Sequence, residues 1–270
     1  MKNEILGKSS RSRERIGKLL REAGDLFDVA RAGEILKLPT RETSKILSRW
    51  ATQGWLKRIR RGVYVSVPVD ASSDRALEDS WVLIPQFFAP AYIGGWSAAE
   101  HWDLTEQIFR DVCVLTQKPV TRQNLVLHGI PFFLAHRGEE RFFGTKTVWK
   151  KDTKILISDI EKTILDIFAN PHLGGGVAHM VDCFREALKH KDFQISCLID
   201  YAIRMNNGAV FKRLGFLSQA LLGSDHELTR TCAENLTQGN AKLDPKGPAD
   251  KLMTKWRLFV PANLLRELSV

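Results

Sequence analysis

From residue 12 the apolar positions recur at helical spacing. Ile16, Leu19, Leu20 and Ala23 fall on one face of a helix over 12–23, and Gly24 stands where a left-handed C′ residue closes a helix. Asp28 is suited to cap a second helix, from Val29 to about Lys37, whose apolar side is Val29, Ala32, Ile35 and Leu36. Leu38-Pro39 stops it. Thr40 then caps a third helix from Arg41 to about Gln53, with Thr43, Ile46, Leu47, Trp50 and Ala51 on its core face and Gly54 at its end. After Gly54 the period changes. Two β-prone runs, Trp55 to Arg60 and Val63 to Ser66, flank Arg61-Gly62 and predict a hairpin. Leu56 and Ile59 lie three apart, so the first strand carries a bulge or begins late. Three helices, the last two joined by a tight turn, followed by a hairpin describe a winged helix-turn-helix.

Pro68 to Asp74 reads as a polar linker, with Asp74 capping a helix through Leu77, Trp81 and Ile84. Short strand-like runs follow: Ala91 to Ile93, Val112 to Leu115, Leu125 to Leu127, Ile130 to Ala135, Thr147 to Trp149 and Ile155 to Ile157. Helices then dominate. Ser158-Asp159-Ile160-Glu161 has the form of a capping box opening a helix over Ile164, Leu165 and Phe168, which Asn170-Pro171 ends. Further helices fit Val177–His190, Phe193–Met205, Gly208–Leu222 and His226–Leu236, and the tail returns to a strand at Trp256 to Val260. Strands first and helices after give an α+β class with a mixed or antiparallel sheet. The expected organisation is a winged helix over 1–68 and a larger α+β domain over 75–270.

Charge sharpens this division. Residues 1–68 hold 16 Lys and Arg against 7 Asp and Glu, whereas the other 202 residues hold 24 of each sign. A basic unit beside a neutral one points to a polyanion as the first unit's partner, here double-stranded DNA. Arg41, Ser44, Lys45, Ser48 and Arg49 form the polar face of the third helix and are the candidates for reading bases in the major groove. Lys57, Arg58, Arg60 and Arg61 on the wing are placed to bind phosphates or reach a minor groove.

The composition, 44% hydrophobic and 26% charged, is that of an ordinary globular protein. No long apolar run follows the charges of residues 1–8, so no signal peptide is expected. The most apolar stretch, Trp81 to Trp96, is interrupted by Pro85, Gln86, Pro90, Gly94 and Gly95, so no membrane partner is expected either. Cys113, Cys183, Cys197 and Cys232 are scattered without a CxxC pair, which fits reduced thiols in the cytoplasm.

Catalytic patterns are thin. Gly94-Gly95-Trp96-Ser97-Ala98-Ala99 falls short of a nucleophile elbow, with Ala99 where the last glycine belongs, so the glycines turn the chain and Ser97 caps a helix. His179 and Cys183 are i,i+4 but lack two further zinc ligands, and Gly174-Gly175-Gly176 lacks the Lys-Ser/Thr of a P-loop. Asp152-Thr153-Lys154, with Asp111 as a distant acidic partner, is the minimal pattern of a metal-dependent nuclease, but such triplets are common by chance and a solvated turn is the default reading. No catalytic residue, metal or cofactor is assigned, and the chain is not expected to be an enzyme.

Gly54 to Tyr64 (GWLKRIRRGVY) and Tyr92 to Gln107 (YIGGWSAAEHWDLTEQ) resemble, respectively, the wing and the most recognisable segment of the AbiEi-type antitoxin family. Ile157 to Asp166 is similar to its serine-aspartate-x-glutamate motif, and Lys242 to Pro248 with Trp256 to Leu258 to its ending. His101-Trp102-Asp103 departs from the family, where a small residue before the leucine is usual. The resemblance implies a transcriptional repressor of a type IV toxin–antitoxin operon, binding inverted repeats and counteracting a nucleotidyltransferase toxin. The toxin's own signature is missing, since Gly223-Ser224-Asp225 lacks a second acidic pair. Two rivals remain: a transcription factor whose neutral domain binds a small effector, and a DNA-targeted nuclease using Asp152 and Lys154.

Overall fold

The computed structural model describes residues 2–24, 26–60, 62–67, 80–127, 129–150 and 152–267 (for 2–11, Leu26, Ile59, Arg60 and Glu267, the backbone alone). The chain divides into two compact units, one of residues 1–78 with 127–129 and the other of residues 79–126 with 130–270. The expected linker, 68–74, and the start of the helix expected from Asp74 lie outside the described residues.

The first unit runs α1 (Lys2–Ala23), β1 (Leu26–Asp28), α2 (Val29–Leu36), α3 (Thr40–Thr52), β2 (Leu56–Arg60) and β3 (Val63–Ser66). Leu19, Phe27, Ala32, Ile35, Leu47, Trp50, Leu56 and Tyr64 make its core. The apolar stripes of the three helices therefore meet as their spacing predicts, although α1 starts ten residues earlier than expected. Asp28 caps α2, its Oδ1 accepting the Arg31 N–H at 2.8 Å. Thr40 is not the cap of α3. That position falls to Pro39, already extended at φ −59°, ψ 150°. The hydroxyl that ties down the turn belongs to Thr43, which donates to the Leu38 and Pro39 carbonyls at 3.2 and 3.0 Å. Gly33 leaves room for this turn, because a Cβ there would press on the Leu38 oxygen and the Thr43 hydroxyl. The wing's first strand carries the bulge, between Arg58 and Arg60. Strand β1 was not foreseen. It pairs antiparallel with β3, Leu26 opposite Val65, and completes a sheet ordered β1-β3-β2.

The second unit opens with a 3₁₀ turn, Ser80–Leu83, and the short α4 (Ile84–Phe88). The single helix expected through Trp81 and Ile84 is thus broken. Pro85 sits in the first turn of α4, where its missing N–H does no harm, and a new helix starts around it. Next come β4 (Ala91–Ile93), α5 (Gly95–His101), β5 (Val112–Thr116), β6 (Asn124–Leu127), β7 (Ile130–His136), β8 (Thr145–Lys150) and β9 (Thr153–Ser158). They form a mixed sheet ordered β6-β7-β5-β4-β9-β8, with β4/β9 and β5/β7 parallel and β4/β5 and β8/β9 antiparallel. The register puts Ile93, Val114, Phe132 and Ile157 on one face and Tyr92, Leu115, Phe133 and Leu156 on the other. Phe88 of α4 packs on Phe132, and Trp96 of α5 on Phe133, so both faces are covered.

Helices α6 (Ile160–Ala169), α7 (Val177–Lys189), α8 (Ile195–Met205), α9 (Gly208–Leu222) and α10 (Glu227–Glu234) follow. Ile164, Leu165 and Phe168 of α6 are buried at their centre. The expected capping box is displaced by one residue: Asp159 caps α6, its Oδ1 accepting the Lys162 N–H at 2.8 Å. Ser158 instead faces the Thr163 hydroxyl at 2.7 Å and the Ile93 carbonyl at 3.3 Å, and Glu161 accepts the Gln194 N–H. The chain ends in β10 (Ala241–Lys242), β11 (Lys251–Met253), β12 (Leu258–Val260) and α11 (Ala262–Glu267). Trp256 belongs to a 3₁₀ turn, so the tail strand starts later than expected.

Candidate nucleic-acid interface

Helix α3 buries Thr43, Leu47 and Trp50. At about 100° per residue, Arg41, Ser44, Lys45, Ser48 and Arg49 then occupy roughly 140° of arc on the other side. Arg41, Lys45, Ser48 and Arg49 are exposed and Ser44 is half-buried. The three cations make no ion pair among the described residues, whereas Arg31 on α2 is held by Glu34 at 3.2 Å. Their charge is therefore directed outward.

Ser48 differs from its neighbours. Its hydroxyl lies 3.2 Å from the Tyr64 hydroxyl of β3, linking the helix to the wing sheet. Sequence placed Ser48 among the base readers; the structure gives its side chain a partner within the fold. Lys57 and Arg58 are exposed on β2. Arg60 ends that strand, and Arg61 lies outside the described residues. The turn of the wing is held from the other side, the Gly62 carbonyl accepting the Val29 N–H at 2.9 Å at the start of α2. A groove of about 530 Å³ runs between the end of α3 and β2, lined by Ser48, Ala51, Thr52, Gly54, Leu56, Lys57, Arg58 and Val67. An exposed basic helix beside a basic hairpin can lay the one in a major groove and the other along the phosphates.

The catalytic patterns do not assemble. Gly94, not Ser97, is the N-cap of α5. Ser97 lies within the helix, and its Oγ accepts the Cys113 N–H at 2.9 Å, a donor left over where β4 ends. Gly95 has φ +54°, and a Cβ there would run into the Leu173 carbonyl and the Cys113 sulfur, so the turn demands glycine. Asp111 cannot join Lys154. Ile93 pairs with Val114 on an antiparallel neighbour and with Ile157 on a parallel one. Asp111 and Lys154 each precede those partners by three residues and so lie toward opposite ends of the sheet, roughly 20 Å apart along the strands at ~3.3 Å per residue. His179 contacts the Gly174 carbonyl through Nδ1 and the Thr105 hydroxyl at 2.6 Å through Nε2. No group of three or more metal-ligating side chains occurs among the described residues. Gly174 closes a 3₁₀ turn, Gly175 is left-handed and Gly176 caps α7.

Sequence reasoning missed a buried charge cluster where the two most recognisable motifs meet. Lys162 Nζ donates to Asp166 Oδ1 at 2.6 Å and to the Tyr92 hydroxyl at 2.9 Å, and that hydroxyl donates to Asp166 Oδ2 at 2.8 Å. Arg137 Nε lies 3.8 Å from the same carboxylate, too far for a hydrogen bond, and is buried without a partner among the described residues. Burial pushes the Lys162 ammonium below its ordinary range and, with Asp166, pushes the Tyr92 phenol well above its own. The i,i+4 spacing of Lys162 and Asp166 was visible but looks like any surface ion pair; only Tyr92, 70 residues upstream of Lys162, reveals its burial.

Residues 14–67 match the family model described as transcriptional regulator, AbiEi antitoxin. That span is the winged helix, and the match joins the likeness the wing sequence already carried. No curated protein matches the chain. No helix among the described residues is long and apolar enough to cross a membrane.

Proposed function

We propose that this chain is a DNA-binding transcriptional repressor that is also the antitoxin of a type IV toxin–antitoxin pair, working in the cytoplasm. The observation that carries the reading is the overlap of the antitoxin-regulator match, 14–67, with a winged helix that turns Arg41, Lys45 and Arg49 outward. In this reading α3 enters the major groove of the operator's inverted repeats, with Arg41, Ser44, Lys45 and Arg49 toward the bases. Ser48 keeps the helix in place against Tyr64. Lys57 and Arg58, with Arg60 and Arg61 at the turn, follow the phosphates. The larger unit counteracts a nucleotidyltransferase toxin. We assign it no catalytic step, and the separation of Asp111 from Lys154 argues against the nuclease alternative.

The test has two arms. In gel shifts the full chain should bind the promoter fragment upstream of its own gene, more weakly as salt rises, by about 0.9 log unit per log unit of salt for each phosphate neutralised. Co-expression should rescue growth from the toxin encoded beside it. Promoter binding without rescue would leave a plain regulator and refute the antitoxin half. Rescue without promoter binding would refute the repressor half.

A further inference from the structure

The second unit is close to neutral, with 23 Lys and Arg against 21 Asp and Glu, but its charges are unevenly distributed. Thr116, His136, Ala91 and Ile155 lie at one level across β5, β7, β4 and β9, fixed by the pairs Ala91 with Thr116, Thr116 with His136 and Ile93 with Ile157. One residue beyond that level stand Arg137 on the β7 side and, facing each other across β8 and β9, Trp149 and Lys154. Alternation puts all three on the sheet face that carries Tyr92 and Leu156. At ~4.8 Å per strand, Lys154 is roughly 5 Å from Trp149 and roughly 14 Å from Arg137. Lys118 and Lys150 lie at the same sheet end on the other face, Lys118 donating to the Phe87 carbonyl at 3.1 Å and Lys150 over the Trp81 ring. The β8–β9 segment, 145–158, holds four lysines and one acidic residue, Asp152.

Trp149 is 63% exposed. Lys154, directly opposite, is exposed too. A large ring open to solvent beside an ammonium fits an unpaired nucleotide, with the base on the ring and the phosphate on the cation. Duplex DNA hides its base faces in the stack and cannot use the tryptophan in this way. We propose that this end of the sheet, centred on Trp149 and Lys154, is a second nucleic-acid site that binds single strands. It lies on the other unit from α3 and does not depend on the repressor reading.

The experiment uses the full chain with an excess of unlabelled promoter duplex, which occupies α3. Fluorescence anisotropy then follows short labelled oligouridylate and oligothymidylate; tighter binding of the first marks RNA as the natural strand, of the second DNA. Trp149→Ala should weaken binding by ~5- to ~100-fold and Trp149→Phe much less. Lys154→Glu should weaken it and flatten the log–log salt dependence by about 0.7, the share of one phosphate that the lysine no longer neutralises. All three variants should keep the parent's melting temperature and promoter affinity. The proposal is overturned if the oligonucleotides fail to bind beside the duplex, or if Trp149→Ala and Lys154→Glu bind like the parent. It is also overturned if promoter affinity falls in parallel, since the surface would then serve duplex. A parent that binds oligonucleotide but no promoter supports the second site and refutes the repressor reading.

Discussion

Ser97→Ala separates a structural serine from a nucleophilic one. The Ser97 hydroxyl is the hydrogen-bond partner of the Cys113 N–H at 2.9 Å, in a place where Cys113 is fully buried and Ser97 is 6% exposed. Strand β4 stops at Ile93, so no backbone carbonyl takes over this donor. Truncation leaves a buried N–H unsatisfied, which costs about 1–3 kcal/mol. For a chain of this size ~1 kcal/mol moves the melting temperature by about 2–4 °C, so a loss of roughly 4–8 °C is expected at the middle of the range. Ser97→Thr, which keeps an acceptor, should recover part of it. The assay is thermal melting alongside toxin rescue, with rescue scored well below the lowered melting temperature. Rescue should then be intact. A variant that melts like the parent yet cannot rescue would point to chemistry at Ser97 and refute the reasoning, and an unchanged melt with intact rescue would show that the bond contributes nothing.

Other outcomes follow from the same geometry. Lys45→Ala or Arg49→Ala should relax base preference, at about 1–3 kcal/mol for each base contact removed, whereas Lys57→Ala should weaken all sequences alike; binding-site selection on each variant checks this, and the opposite pattern would reverse the docking. Lys162→Met should cost about 3–5 kcal/mol in urea unfolding, because Asp166 stays buried without its closest cation; a loss under about 1 kcal/mol would mean that the cluster is already neutral. Burial lowers the His179 pKa, so on acidification below about 6.5 the unfolded chain takes up the proton first and stability falls. His179→Gln should flatten that part of the melting-temperature profile, and parallel profiles for parent and variant would exclude His179 as the source. A fragment of residues 75–270 should melt cooperatively and rescue cells without repressing the promoter; a fragment that does not fold would show that the units depend on each other.

What could be read from sequence was local. The helix stripes, the hairpin and the bulge beside Ile59 all follow from spacing within a dozen residues. What escaped was decided by distant partners. Leu26–Asp28 is a strand because β3 lies next to it; alone, three residues between two helices look like a turn. Asp159 takes the cap of α6 because Ser158 is drawn across the sheet to Ile93 and Thr163. Ser97 sits one turn too deep to be a cap, and only the end of β4 explains what its oxygen does. The charge cluster needed Tyr92, Arg137 and Lys162 together, from three parts of the chain. The outward placement of Arg41, Lys45 and Arg49 was legible because a polar stripe on an amphipathic helix is a local pattern, whereas the Ser48–Tyr64 contact required the folded wing.

The bond between Ser48 and Tyr64 divides the outer face of α3 into a fixed position and variable ones. Arg41, Lys45 and Arg49 are exposed and hold no ion pair among the described residues, so exchanging them should alter stability by no more than about 0.5 kcal/mol. Ser48 is fastened to the wing and carries a structural duty. In the proposed docking, a copy of this gene could therefore drift to a new promoter through substitutions at three positions, every intermediate folding as well as its ancestor. Two such regulators could then share one cell with their operons insulated from each other, on the same scaffold.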